Sequence, residues 1–211
     1  RKLAQERGLY VPDFEHDSCG VAFIVHMKGK KSHDIIEKAI TTLNNLAHRG
    51  ACGCEVNTGD GAGILIQIPH AFLKKAFKKS SVDLPELGNY GIGTLFLTSD
   101  PQQQKQVMAD LEKIVGENGQ KFLGWREVPF DPSSLGKTAR DAMPVFKQFA
   151  IGLGEKGPGL PGPVDDAFER RLFVIRKNFE NSIRRSAMKG WDQIYIPSLS
   201  SRTLIYKGML T

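Results

Sequence analysis

Asp17-Ser-Cys-Gly-Val-Ala-Phe23 sets a cysteine beside a glycine at the head of an apolar run, and the rest of the chain is read outward from it. Gly20 leaves the thiol of Cys19 unobstructed. Val21 to Met27, with β-branched and aromatic members, predicts a buried strand. Lys28-Gly29-Lys30-Lys31 then turns the chain. A helix starts near Ser32 to Asp34, because Ile35, Ile36, Ala39, Ile40, Leu43 and Leu46 recur on one face. Gly50 and Gly53 break it within His48-Arg-Gly-Ala-Cys-Gly-Cys54, and Asn57-Thr-Gly-Asp-Gly-Ala-Gly63 follows. Glycines at this density let backbone approach a ligand or a neighbouring strand closely.

Downstream the pattern alternates between the two periodicities. Ile64 to Ile68 predicts a strand stopped by Pro69, and His70 to Lys79 a short amphipathic helix. Tyr90 to Thr98 is a third strand. Asp100-Pro101-x-Gln103 is a helix start, with Asp as N-cap, Pro at the first helical position and Gln reaching back, and the helix runs to about Glu117. Asn118-Gly119 makes the turn out. Lys121 to Val128 and Val145 to Leu153 are strands, and Gly154 to Pro163 is a connection rich in Gly and Pro. Asp165 to Lys189 fits a helix through Phe168, Leu172, Ile175, Phe179 and Ile183, or a strand at Leu172–Ile175 before a shorter helix. Ile194 to Ile196 and Thr203 to Tyr206 are two final strands. Strand pairs and helix pairs without strict β-α repetition predict an α+β fold with largely antiparallel sheets, with no internal repeat and no domain linker.

Composition bounds the function classes. With 211 residues, 40% hydrophobic and 25% charged, the chain is of a size and make-up that folds around one core. Its apolar runs are far too short to span a bilayer, and residues 1–14 lack the apolar region of a secretory signal. Three cysteines, two of them in a Cys-x-Cys pair, speak against a disulfide framework and for a reducing, cytoplasmic setting. The net charge of +6 is spread over helix faces and turns without a recognition-helix or aromatic RNA-binding signature, so no nucleic-acid partner is expected.

Each candidate site has a plain structural reading beside its chemical one. A lone cysteine is usually a small buried hydrophobe. If the chain were cut between Ser18 and Cys19, however, the new α-amine, with a pKa of about 7.7–8.0, would be a local base for the thiol. His48-Arg49-Gly50 suits a helix C-terminus, basic groups followed by glycine, and that reading weighs slightly more than Arg49 as a carboxylate anchor or as a brace for the nucleophile. Cys52 and Cys54 near His48 form one ligand pair, whereas zinc sites usually show two separated pairs. The Asn57–Gly63 loop lacks the Lys-Ser/Thr of a P-loop and precedes a strand, so it is read as tight backbone packing with Asp60 as a polar contact.

Taken together, Phe14-Glu-His-Asp-Ser-Cys-Gly-Val-Ala-Phe23, His48 to Cys54, Thr58-Gly-Asp-Gly-Ala-Gly-Ile-Leu65 and Ile196-Pro-Ser-Leu-Ser-Ser-Arg-Thr-Leu-Ile-Tyr-Lys-Gly-Met-Leu210 resemble the N-terminal domain of the glutamate synthase large chains. That is a class II glutamine amidotransferase domain of the N-terminal-nucleophile hydrolase type. The resemblance implies an αββα sandwich, here truncated at its C-terminal side, with residues 1–18 as a propeptide-like lead-in and 19–211 as the N-terminal part of the amidotransferase domain. It implies Cys19 as nucleophile, with its α-amine as base after processing, and a γ-glutamyl thioester formed from L-glutamine. Arg49, Gly50 and Asp60 would support the substrate site. No cofactor or metal is implied within 19–211. FMN and an iron–sulfur cluster belong to the rest of the synthase chain, where the ammonia meets 2-oxoglutarate, and an electron-donating small subunit is a further partner. A plastid location is the eukaryotic alternative to the cytoplasm.

Two departures from the family pattern predict an inactive fragment. Neither a Ser-Arg-Phe-Ser-Thr-Asn motif, which holds the substrate carboxylate, nor a His-Asn-Gly-Glu motif, whose Asn and Gly form the oxyanion hole, occurs within the 211 residues. Asn118-Gly119 is a helix-ending turn and no substitute. Residues 1–18 also still tie up the amine of Cys19. The alternatives are another class II amidotransferase, of the amidophosphoribosyltransferase or asparagine synthetase kind, and a non-catalytic metal- or partner-binding domain built on Cys52 and Cys54. The first would normally carry Cys directly after the initiator Met. The second would bind an equivalent of zinc that Cys52→Ser abolishes.

Overall fold

In the computed structural model the described residues are 20–46, 61–154 and 164–209. The chain divides into two compact units, Arg1–Ala62 with Gly208–Thr211, and Gly63–Lys207. The division passes through strands and not through a linker, which is why no composition shift marks it in the sequence.

The larger unit is built around strand β2 (Tyr90–Leu97), in which every residue is buried. It pairs antiparallel with β4 (Val145–Gly152) along its full length, from Tyr90 opposite Gly152 to Leu97 opposite Val145. β3 (Lys121–Glu127) lies antiparallel to β4, and the short β5 (Leu199–Ser200) is antiparallel to β2, giving the order β3-β4-β2-β5. A second sheet pairs β1 (Gly61–Gln67) with β6 (Thr203–Met209).

A strand buried on both faces has no polar side, and the two cores show what covers each. Leu95 and Leu97 of β2, with Phe149 and Ile151 of β4, meet two helices, α3 (Pro101–Glu117) through Val107, Leu111, Ile114 and Val115, and α5 (Val164–Ser186) through Leu172, Ile175 and Phe179. On the opposite face Tyr90, Ile92 and Ala150 meet Leu204 of β6, Ile66 of β1 and Leu73 and Phe77 of α2 (His70–Lys78). The result is an α+β fold with antiparallel pairing in the larger sheet, of the kind the sequence patterns predict. Its layers in this unit run helices, sheet, then sheet with α2.

Helix boundaries follow local chemistry. The Asp100 carboxylate accepts from Gln102 N–H at 2.8 Å and Gln103 N–H at 3.3 Å, with Pro101 in the first turn. The side chain of Gln103 does not reach back as expected. Its Oε1 accepts from the Thr98 hydroxyl at 3.0 Å, while Gln104 donates to the Thr98 carbonyl at 2.9 Å, so the strand end competes for the amides. At the other end Gly119 adopts φ +70°, and Gln120 N–H returns to Val115 O. The ambiguous stretch after residue 164 is one helix as far as Ser186, with no strand at Leu172–Ile175, because its apolar positions line one buried stripe, Phe168 through Ile183.

Three expectations need correction. Ile194 to Ile196 is not a strand: Trp191–Gln193 forms a 3-10 turn and Tyr195 makes one isolated bridge to Phe96. A short helix α4 (Lys137–Asp141) stands in the loop between β3 and β4. In the smaller unit, Val21 to Met27 forms no strand, and Val21, Phe23, Val25 and Met27 are exposed. A strand exists only through its neighbours, and among the described residues none pairs with this run. The turn that follows is as expected, Gly29 N–H bonding His26 O at 2.8 Å with φ +67°. So is helix α1 (His33–Asn45), whose Ile35, Ile36, Ala39 and Leu43 are half-buried while Ile40 is exposed.

Candidate functional site

Cys19, His48, Arg49, Gly50, Cys52, Cys54 and Asp60 lie outside the described residues, as does the lead-in 1–18. The frame on either side of them is described. Gly20, next after Cys19, sits against Leu46, the C-cap of α1 and three residues ahead of Arg49. A Cβ on Gly20 would stand 3.1 Å from both Leu46 methyl carbons, a contact close enough that the leucine side chain would have to shift by a few tenths of an ångström. Beyond Asp60, a Cβ on Gly63 would meet the Tyr206 carbonyl oxygen at 3.2 Å. Tight backbone packing is thus present at the described end of the glycine loop.

Asn118-Gly119 has the role expected of it. The Asn118 side-chain amide donates to Ile114 O at 2.7 Å, closing the helix C-terminus. Part of the positive charge is answered locally. Lys74 pairs with Glu86 at 3.3 Å, and Arg176 and Lys177 both pair with Glu180, at 2.8 and 2.6 Å. Arg202 pairs with Asp166 and Lys147 with Glu127. Burial would raise the Glu180 carboxyl, but hydrogen bonds and charge from Arg176 and Lys177 overbalance it and hold it below its ordinary value. No cluster of three or more His, Cys, Asp or Glu arranged for a metal occurs among the described residues. No described helix is long and apolar enough to cross a membrane.

The comparisons with known proteins join this frame to a family. The model of the class II glutamine amidotransferases matches residues 19–211, starting on the cysteine itself. The chain belongs to the class II glutamine amidotransferases. It is similar to the glutamate synthase [NADPH] large chain of Bacillus subtilis, 39% identical over all of this chain and 13% of that one. It is also similar to the glutamate synthase [NADH] of Saccharomyces cerevisiae, 38% identical over 99% of this chain and 10% of that one. The chloroplastic ferredoxin-dependent glutamate synthase of Oryza sativa is 33% identical over 93% of this chain and 12% of that one. The chain therefore spans roughly an eighth or less of the length of these relatives.

Within this amidotransferase domain the structure adds supporting residues that the sequence pattern did not single out. Glu169 of α5 takes both the backbone N–H and the hydroxyl of Ser201 on Oε1, each at 2.5 Å, and the Ser200 hydroxyl on Oε2 at 3.0 Å. It thereby clamps the Ser-Ser turn that leads into β6. The Tyr90 hydroxyl and His70 Nδ1 share a hydrogen bond of 2.9 Å, with His70 Nε2 at 3.9 Å from Glu86. Burial, and then the charge of Glu86, push the Tyr90 hydroxyl up to about 12. Arg126 on β3 donates to Gln148 on β4 at 2.5 Å and lies over the Phe72 and Phe77 rings. For Gln148 the sequence signal is a polar residue inside an otherwise apolar strand, Val145–Leu153.

Proposed function

We propose that this chain is the glutamine-hydrolysing part of a glutamate synthase, with Cys19 as the nucleophile once residues 1–18 are removed. The thiol attacks the side-chain carbonyl carbon of L-glutamine, the α-amine of Cys19 takes the thiol proton and passes it to the departing ammonia, and a γ-glutamyl thioester is left. Water then cleaves the thioester to glutamate and restores the thiol. The ammonia goes on to 2-oxoglutarate in the remainder of the longer chain, where FMN and an iron–sulfur cluster supply the reduction to a second glutamate. The relatives' names differ in the donor, NADPH, NADH or ferredoxin, so the donor is a property of that remainder and of any small subunit.

The observation that carries the reading is the start of the family match at Cys19, where a cut would turn an internal cysteine into a nucleophile with its own base. The contact between Gly20 and Leu46 supports it, because it brings the residue after the nucleophile to the helix end that leads to Arg49. Arg49, Gly50 and Asp60 are proposed as support for the substrate, Arg49 by pairing with its carboxylate. The oxyanion hole and the main carboxylate contacts, which Arg49 supplements, are proposed to come from the rest of the longer chain, so residues 1–211 alone are expected to be nearly inactive. Loss of a single oxyanion-hole donor already costs about 10²–10³ in rate.

Mass analysis of the intact protein after treatment with a glutamine-analogue electrophile tests this. The expected result is an N-terminus at Cys19 and one adduct on that residue. A mature N-terminus elsewhere, or labelling of Cys52 or Cys54 in place of Cys19, overturns the proposal.

A further inference from the structure

Residues 20–26, which follow Cys19, form neither helix nor strand, and Gly20 to Phe23 are all exposed. Among the described residues no strand pairs with this run, so side-chain contact has to hold it in place. The contact nearest the cysteine is that of Gly20 with Leu46. A Cβ on Gly20 would stand 3.1 Å from both leucine methyl carbons and 3.3 Å from the leucine Cβ, so the two residues approach too closely to admit a methyl group unless Leu46 shifts. Leu46 is itself well held. It is the C-cap of α1, and its N–H bonds both Thr42 O and Leu43 O at 3.0 Å. It also continues the half-buried face of that helix, after Ile35, Ile36, Ala39 and Leu43.

A fixed apolar side chain against the residue after a nucleophile bears on where that nucleophile stands. We propose that Leu46 is a positioning residue for the reaction at Cys19, acting through Gly20 to set the thiol in line with the side-chain carbonyl carbon of glutamine. The inference rests on Cys19 as the nucleophile, as proposed above. Processing makes the need for such a residue acute. With residues 1–18 removed, Cys19 is the first residue of the chain and Gly20 the second, and a chain end is poorly ordered unless something ties it down. Nothing upstream remains to do so. The tie has to come from the downstream side, and the end of α1 supplies it at the first residue available. Attack on the carbonyl needs the reacting atoms held about 3–3.5 Å apart and aligned, a demand that an untied terminus does not meet.

Kinetics of the intact, processed protein test this. Leu46→Ala should lower kcat for glutamine hydrolysis about tenfold or more, because a misplacement of about 1 Å can cost about 10²-fold, while KM stays within about twofold. Leu46→Met refills the same space and should restore kcat to within about threefold of the parent. Gly20→Ala crowds the same contact from the other side. In the double variant the shortened side chain makes room for the new methyl, so kcat should exceed the product of the two single effects by about threefold or more. Glutamate formation from added ammonium salts should be unchanged in every variant, which reports an intact fold. A kcat for Leu46→Ala within about twofold of the parent, a loss carried by KM, or single effects that simply multiply in the double variant overturns the positioning role. Labelling of the parent at a residue other than Cys19 by a glutamine-analogue electrophile overturns the underlying assignment instead, so the two failures are told apart.

Discussion

Gly93 stands where no Cβ fits: one built there would lie 2.3 Å from Cζ of Phe149 across the β2–β4 pair. Phe149 is fully buried and packed between Phe122 and Trp125, so its ring cannot swing aside. Gly93→Ala should therefore destabilise by about 1–3 kcal/mol, the usual penalty for overpacking, seen as a lower urea midpoint with an unchanged slope. Tyr90 gives a second single-residue test, of opposite character. Its hydroxyl, ordinarily near 10, is pushed up to about 12, so the folded state holds the proton more tightly than the unfolded chain does. That contribution is complete below pH 10 and is lost as pH rises through about 12. Urea midpoints measured across this window should fall steeply for the parent and more gently for Tyr90→Phe. At neutral pH the variant should also lack the hydrogen bond to His70, worth about 1 kcal/mol. Equal pH slopes would remove the assignment.

At the scale of elements, what could be read in advance was whatever is decided within a few residues. The α3 start is such a case, since a capping Asp, a first-turn Pro and the following period act over less than two turns. Asp100→Ala should lower stability by about 0.5–2 kcal/mol, because the Gln102 and Gln103 N–H groups lose their acceptor. The Tm shift against Asp100→Asn, which keeps a capping oxygen, separates the cap from a general surface effect. Gln103 departs from the capping expectation for the complementary reason: Thr98, outside the helix, offers it a hydroxyl that the local pattern does not weigh. Val21 to Met27 shows the same limit more strongly. Its composition is that of a strand, yet strand formation is a relation between segments, and no described segment supplies the partner. The sense of residues 164–186 was likewise open until α3 and the sheet gave their apolar stripe one surface to cover.

At the scale of the whole molecule, the chemistry proposed for the site was more legible than its geometry. A cysteine, a glycine and two glycine-rich loops occupy one contiguous part of the sequence, whereas Glu169 meets Ser200 and Ser201, and Arg126 meets Gln148, only once the fold brings them together. The same division of labour shapes the decisive test of the proposed function in the longer protein. If Cys19 serves only to release ammonia, and a separate site consumes it, then Cys19→Ala should abolish glutamine-dependent glutamate formation while leaving formation from added ammonium salts and 2-oxoglutarate intact. The thiol and its adjoining amine take part in no bond of the second reaction, so their loss has no route to its barrier. Arg49→Lys should act differently: it keeps the charge but not the bidentate fork, and is expected to raise KM for glutamine about tenfold or more with little change in the ammonium-dependent rate. Loss of both activities in Cys19→Ala, with the fold intact by circular dichroism, would mean that the two reactions share the residue, and the assignment of Cys19 to ammonia release alone would fall.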